Sequence, residues 1–499
     1  MADIPVLEIE SRICIMREPV TSDIIFPIAS LTKGFTGACI DKLRGQGKLS
    51  FDDLVQKHLP SAKSQDPVVA ADATISDLLG HRTGLQKADD IWLGAHGKML
   101  IGPSQLSTVF SSLQRRASLR SQFQYNNICF ALLGEIIAKV SGQPYHQFLR
   151  ENILDPLNMT RTVVDRTTTP SDNVSSVYSI MDDGHPHNVP LPELDATSAI
   201  GPAGGLSSTV NDLVIYSKAL MKCWQVQNRR QAENGEISAI KPVFSDVSWL
   251  FAPLQIMGTP TAREKAYAAG WCRSQLPGAV GDIGVNSGLV KKMPELASGI
   301  QPRLAIWHQG SLVGATSFIM ILPETESAVI VLSNTMSAND ASDWIGQMLV
   351  EALLHSPSRN DYVQLAAQSV DTALKKYADL DRLIEEGRQV GGPRRDLNAY
   401  VGSYVGFGSV FRITVVESNG DLAMLFQGLE SQKFQLKHHH DDTFTWFMSW
   451  NDQIKRARFI SYRPSDYSIR FEEAEERGIV SLRWSLDPAV PEGQRFMKE

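Results

Sequence analysis

Ser30 and Lys33 stand one helical turn apart in Phe26-Pro-Ile-Ala-Ser30-Leu-Thr-Lys33-Gly-Phe-Thr-Gly, where an extended segment gives way to an apolar helix. Positions i and i+3 share a helix face, so the amine can reach the hydroxyl. A serine hydroxyl becomes a working nucleophile when a neighbouring base takes its proton. Lysine can be that base when burial or nearby positive charge lowers its pKa. The helix N-terminus adds partial positive charge, which favours a developing alkoxide at Ser30. Taken alone, Ser-x-x-Lys is a common pairing, and an ordinary amphipathic helix explains most isolated matches.

The elements that must hold these residues follow from periodicity and punctuation. The serine helix runs to about Arg44 and stops at Gly45-Gln-Gly47. Leu49 to Val55 predicts a short helix capped by Ser50, with Asp52 and Asp53 in its first turn. Thr74 to Leu85 reads as a short helix broken by Gly84. Ile128, Leu132, Leu133, Ile136, Ile137 and Val140 recur at helical spacing, so Tyr125 and Asn127 stand just before or at that helix's start. Tyr145–Leu157 predicts a helix ended by Pro156, and Gly201–Tyr216 a glycine turn feeding a helix capped near Ser208.

Residues 4–16 alternate loosely and predict one or two strands, and Ala269-Gly-Trp271 reads as another. Leu304–Ser311, Thr316–Leu322 and Ala328–Ser333 form a β-meander, with His308 on its first strand and a helix at about 339–355 after it. Residues 360–388 read as a charged amphipathic linker helix, and Gly391-Gly-Pro marks a boundary. From Tyr400 onward, short alternating runs predict a small all-β barrel or sandwich.

With 499 residues, 43% hydrophobic and 21% charged, the composition is that of a globular chain of more than one domain. Net charge is −7 with no long basic run, which argues against nucleic acid or an anionic membrane as partner. The acidic N-terminal stretch lacks a basic region followed by an apolar core, so no signal peptide is expected, and no window approaches a membrane span. Five scattered cysteines without Cys-x-x-Cys spacing read as buried thiols of a reducing, cytoplasmic compartment. His438, His439 and His440 lack a ligand set and are expected in an exposed turn, so no metal or other cofactor is implied.

The order Ser30-x-x-Lys33, Tyr125-x-Asn127, His308-x-Gly310 resembles the serine β-lactamase and penicillin-binding-protein family, closest to its class C-like branch of esterases, D-aminopeptidases and acyltransferases. Leu78-Leu-Gly-His81-Arg-Thr-Gly84-Leu85 and Gly204-Gly-Leu-Ser-Ser support it, and the likeness covers about residues 20–355. It implies a mixed α/β (α+β) catalytic domain over 1–358, with an antiparallel sheet flanked by helices. A helical linker over 359–395 and a barrel-like, lipocalin-like domain over 396–499 follow. The C-terminal domain is expected to shape or cover the site without supplying chemistry.

The resemblance makes Ser30 the acylated nucleophile, Lys33 its base and Tyr125 the proton shuttle. It makes Asn127, His308, Gly310, Ser311 and Trp271 substrate-binding, with backbone N–H groups of Ser30 and Ser311 as the oxyanion hole. His81 falls in what is a structural turn of the family. His308 replaces a lysine found in many members, which disfavours a β-lactam carboxylate and favours small esters, amides or thioesters. Only 29 residues precede Ser30, where the family has a helix and two strands, so a shortened sheet edge open to a homodimer partner is expected. The long interval 272–303 is expected to border the acyl pocket. The expected activity is esterase-like hydrolysis. The alternative is acyl transfer in secondary-metabolite biosynthesis through the same acyl-enzyme, ahead of β-lactamase or D-peptidase activity and of a non-catalytic binding protein.

Overall fold

A computed structural model describes residues 19–168, 172–233, 243–258, 262–474, 478–490 and 492–499. The strands expected over 4–16, Cys14, and any dimer edge built on that segment lie outside the described residues.

Helix α1 (Thr32–Gly45) is buried along nearly its whole length, including Phe35, Ala38, Cys39, Ile40 and Leu43. Its small residues permit this. A Cβ on Gly34 would meet the Trp271 indole at 2.5 Å, and one on Gly37 would meet the Ala269 carbonyl at 2.4 Å. The helix ends where Gly47 turns to φ +72° and its N–H donates to the Arg44 carbonyl at 2.8 Å. Beside α1 runs α2 (Asn127–Ser141), apolar at the spacing seen in the sequence and capped by the Asn126 side chain on the Ile128 and Cys129 N–H groups. A third helix, α3 (Val210–Glu233), starts after Thr209, whose hydroxyl accepts from the Asp212 N–H, rather than at Ser208.

The main sheet is an antiparallel meander of six strands: β1 (Gln255–Ile256), β2 (Lys265–Tyr267), β3 (Cys272–Leu276), β4 (Arg303–Leu312), β5 (Ala315–Leu322) and β6 (Ser327–Ser333). Ala269-Gly-Trp271 is therefore not a strand. It is the turn between β2 and β3, closed by the Ala268 N–H on the Trp271 carbonyl at 2.7 Å. Gly270 takes φ +83° there, and a Cβ would lie 2.3 Å from the Lys33 carbonyl, so this hairpin tip rests directly on the first turns of α1.

Alternation along β5 separates the two faces of the sheet. Thr316 and Phe318 meet α4 (Ala341–Leu353), through the Ser342 hydroxyl and Gly346 respectively. Ser317, between them, donates to the Ile28 carbonyl at 2.9 Å and so holds the turn that carries Ser30. The short helix expected from Ser50 begins only at Val55, because the Asp53 carboxylate accepts the Ser50 N–H and the Ser50 hydroxyl accepts the Asp52 N–H, closing a tight turn instead.

Helix α5 (Tyr362–Glu386) buries Ser369, Ala373, Tyr377, Leu380 and Ile384 along one stripe. Its Ser369 hydroxyl accepts from the Asn339 amide, and its Tyr377 hydroxyl donates to the Met448 carbonyl. It thereby joins the sheet region to a closed antiparallel barrel of eight strands between Gly402 and Lys498. Barrel strands alternate in burial, as in Phe411, Ile413 and Val415, and aromatic rings fill the interior: Phe426 stacks on Trp484 at 5.2 Å. Gln432 fastens the barrel to the rest, accepting from the Ala95 N–H at 2.7 Å and donating to the Ala95 carbonyl at 3.0 Å. His438, His439 and His440 end a barrel strand, Lys433–His440, rather than forming a turn, and no metal-ligand group occurs among the described residues. No helix among them is long and apolar enough to cross a membrane.

Candidate active site

Ser30 sits in a single 3-10 turn, Ala29–Leu31, immediately before α1. Ala29 adopts φ +47°, a left-handed conformation that an alanine holds only when its surroundings impose it. They do so on two sides. Ile28 is pinned through its carbonyl by Ser317 and through its N–H by the Leu206 carbonyl, while the Thr32 hydroxyl donates to the Ala29 carbonyl at 2.6 Å. On the sheet side, a Cβ at Gly310 would lie 2.5 Å from the Ile28 carbonyl and 2.3 Å from the Ser317 hydroxyl. Gly310 is thus the close-approach position that lets the serine turn lie against β4.

Lys33 is fully buried, and its amine has three polar neighbours: Asn127 Oδ1 at 2.8 Å, the Ala203 carbonyl at 2.7 Å and Ser30 Oγ at 3.1 Å. Burial drives its pKa well below the ordinary lysine value, and the nearby Asp89 carboxylate opposes that only in part. A neutral amine has two N–H bonds and one lone pair. With two carbonyl oxygens taking the N–H bonds, the lone pair is left for the serine hydroxyl.

Tyr125 lies in the segment leading into α2. Burial raises its phenol well above the usual range, and an interaction with the Ser30 hydroxyl pulls the other way, so it stands as a phenol rather than a phenolate. Its ring is 4.7 Å from the Lys33 amine and packs at 4.4 Å, tilted by 37°, against the buried His81. His81 serves as a buttress: Nδ1 accepts the Asn126 N–H at 3.1 Å, and burial keeps the ring neutral. Asn127 uses both ends of its amide, accepting from Lys33 and donating to Asp89 Oδ1 at 2.9 Å.

A cleft of about 460 Å³, within the range of small-molecule sites, opens over Ser30; Tyr125, Asn127 and Ser311 line it. His308, Gly310 and Trp271 do not. His308 is buried behind the cleft, bonded at Nε2 to the Tyr267 hydroxyl at 3.0 Å and at Nδ1 to the Gln309 carbonyl, and burial pulls its pKa down to about 3. It is a neutral ring, not a cation. Trp271 is a core residue stacked on Tyr216 and pressed on Gly34, so the structure places it against α1 and outside the cleft lining.

Three features of the cleft were not picked out in the sequence. Gln309, inside the His308-x-Gly310 run, lines it with both side-chain polar atoms buried and without a partner among the described residues. Its position between the two motif residues was the available signal. Asp89 carries no motif. Ala457, Arg458, Phe459 and Ile460 come from the barrel and border the cleft directly. Of the interval 272–303, only Ile283, Gly284 and Val285 line it, while Cys272–Leu276 is sheet.

Comparison with known proteins agrees with this architecture. A family profile described as Beta-lactamase matches residues 15–352, and a domain of unknown function, DUF3471, matches residues 388–498. Protein Flp of Staphylococcus aureus is 24% identical over 315 residues, 62% of this chain and 53% of its own length. The D-alanyl-D-alanine-carboxypeptidase/endopeptidase AmpH of Escherichia coli is 29% identical over 213 residues, 42% of this chain and 52% of its own. The chain spans about half the length of these curated relatives. Among solved structures, the octameric penicillin-binding protein homologue from Pyrococcus abyssi superposes with a TM-score of 0.50 at 20% identity, covering 97% of this chain and 90% of that one, a likeness of fold. The profile match over the greater part of the chain makes it a member of the serine β-lactamase and penicillin-binding-protein-like family, whose members are generally serine hydrolases.

Proposed function

We propose that the chain is a serine hydrolase that cleaves small-molecule esters or amides through an acyl-enzyme on Ser30. The observation that carries this reading is the fully buried Lys33 amine 3.1 Å from Ser30 Oγ, with burial lowering its pKa well below the ordinary lysine value. Ser30 attacks the substrate carbonyl and its proton passes to Lys33. The oxyanion is met by the backbone N–H groups of Ser30 and Ser311, each donor of this kind contributing about 3–4 kcal/mol. Tyr125 gives its phenol proton to the departing group and is reprotonated through Lys33. Water then attacks the acyl-enzyme along the same path in reverse, releasing the acid and restoring Ser30.

Acyl transfer to an alcohol or amine is the second reading, and one observation favours it. Trp92, Leu194, Ile283, Phe459 and Ile460 give the cleft an apolar wall suited to an organic acceptor. D-peptide cleavage, the activity in AmpH's name, would use the same residues, but here β4 offers a neutral His308 where a fixed cation would hold a terminal carboxylate. Stopped-flow hydrolysis of p-nitrophenyl acetate tests the reading: a burst of p-nitrophenol stoichiometric with enzyme is expected, absent in Ser30→Ala. A linear course with no burst and equal turnover in that variant contradicts it.

A further inference from the structure

The barrel contributes an arginine to the wall of the Ser30 cleft. Arg458 lies in the segment between the short helix Trp450–Lys455 and the strand Ser468–Ala474, and it borders the same cavity as Ser30, Tyr125 and Asn127. The segment is held at both sides. Arg456 donates to the Lys433 and Ser431 carbonyls, and its own carbonyl accepts the His96 N–H at 2.7 Å, which ties it to the catalytic side of the cleft. Arg458 is therefore presented on a fixed support rather than a free loop.

Its hydrogen-bonding capacity is unspent. Arg458 Nε is buried without a partner, and among the described residues no carboxylate lies within ion-pair distance of the guanidinium. The group rests against the Trp446 ring at 4.9 Å and the Phe434 ring at 5.0 Å, contacts that fix its plane and leave its N–H edge open. Trp446 Nε1, beside it, is a second buried donor without a partner. Buried donors left unpaired are costly, and two together call for an acceptor.

The acids nearby make no ion pair with Arg458, and Asp90 acts on it only through its charge. Asp466 accepts from Arg463 and from the Ser461 hydroxyl, and Asp89 accepts from Asn127 and Trp92. Asp90, which shares the cleft, is pushed up to about 6 by burial and by Asp466, with Arg458 pulling the other way. Lys87 also lines the cleft and makes no ion pair among the described residues. Neither Lys33 nor His308 lines the cleft, so among the described residues Arg458 and Lys87 are the cationic side chains that do.

We propose that Arg458 is a specificity-determining residue that binds a carboxylate carried by the substrate away from its reacting carbonyl, with Lys87 reinforcing the field. The guanidinium fork matches a carboxylate in two parallel bonds, a geometry lysine cannot reproduce. The inference rests on the acyl-enzyme reading above, and its test separates the two.

The experiment compares matched esters in wild type, Arg458→Gln and Arg458→Lys, each first shown by circular dichroism and thermal melting to be folded. On the acyl side the pair is p-nitrophenyl hemiglutarate and p-nitrophenyl butyrate; on the leaving-group side, 4-acetoxybenzoate and its methyl ester. Wild type is expected to favour the charged member of at least one pair in kcat/KM. Arg458→Gln should lower that preference at least tenfold, mainly through KM, and Arg458→Lys should recover only part of it. No preference in wild type, or a loss falling equally on charged and neutral esters, overturns the proposal. A chain that cleaves none of the esters defeats the hydrolase reading instead. Calorimetric binding of glutarate and benzoate then decides: binding lost in Arg458→Gln upholds the subsite, and no binding by wild type removes it.

Discussion

Asn127 donates through Nδ2 to Asp89 Oδ1 at 2.9 Å, and that one bond decides which end of the amide faces Lys33. A carboxylate accepts and cannot donate, so it claims the NH₂ end and leaves Oδ1 to receive the lysine N–H. In the proposed mechanism Asp89 is thus a positioning residue for Lys33, acting through Asn127, and its negative charge also raises the Lys33 pKa against the larger effect of burial. Asp89→Asn should lower kcat about 10- to 100-fold by loosening that geometry. The base must be neutral to act, so activity is lost as pH falls through its depressed pKa. Without the Asp89 charge that pKa drops further, and the acid limb of the kcat/KM profile should move to lower pH. An unmoved limb would show that Asp89 does not act on Lys33.

Lys33→Ala and Tyr125→Phe should each reduce turnover by roughly two to four orders of magnitude, the range for a positioned acid or base. The double variant should be little worse than either single one, because both groups serve one proton path. Single-turnover rates with one ester across the four proteins check this. Multiplying losses would mean independent roles.

The frame and the meeting of Ser30 with Lys33 were legible along the chain because their signals are local. Ser30 and Lys33 share one turn, Asn126 caps the run that begins at Ile128, and the period-two strands around His308 announce the meander. The contacts that failed to show are long-range. Trp271 followed a glycine in an apolar stretch and read as strand, yet Gly34 against its indole and Lys33 against Gly270 make it the packed end of a hairpin. His308 looked like a substrate group because no local pattern discloses Tyr267 as its partner. Arg458 is one of several arginines in a barrel connection until the barrel docks on the cleft.

Gly310→Ala should misplace the nucleophile without replacing any polar side chain of the site. The added methyl would enter the space of the Ile28 carbonyl and the Ala29 Cβ, at 2.5 and 3.1 Å. Overpacking of this kind costs about 1–3 kcal/mol, and a shift of the serine turn should cost roughly 100-fold in kcat. Thermal melts with kinetics on one ester test both parts. Full activity would show that the turn does not depend on this approach.

Asp340 and Asp343 form a buried carboxyl pair beneath the segment that presents Ile283–Val285 to the cleft, joined to it by Asn286. Burial raises both above the usual carboxylate range, and Asp343 raises Asp340 further. In the unfolded chain such groups titrate near 4. Their contribution to stability is therefore complete below that value and declines as pH rises toward their folded pKa values. Melting temperature should fall between pH 5 and pH 8, and fall less in Asp343→Asn, where Gln347 can turn its unpartnered Oε1 to the new amide. An equal fall in both proteins would assign the dependence elsewhere.

Covalent capture at Ser30 bears on the central claim most directly. The chain is incubated with a fluorophosphonate and, separately, with a slowly deacylating ester, then read by intact-mass spectrometry and peptide mapping. A single adduct per chain is expected, located on the peptide containing Ser30, absent from Ser30→Ala and strongly slowed in Lys33→Ala. An adduct on another residue, or none in a folded chain, would contradict the acyl-enzyme account.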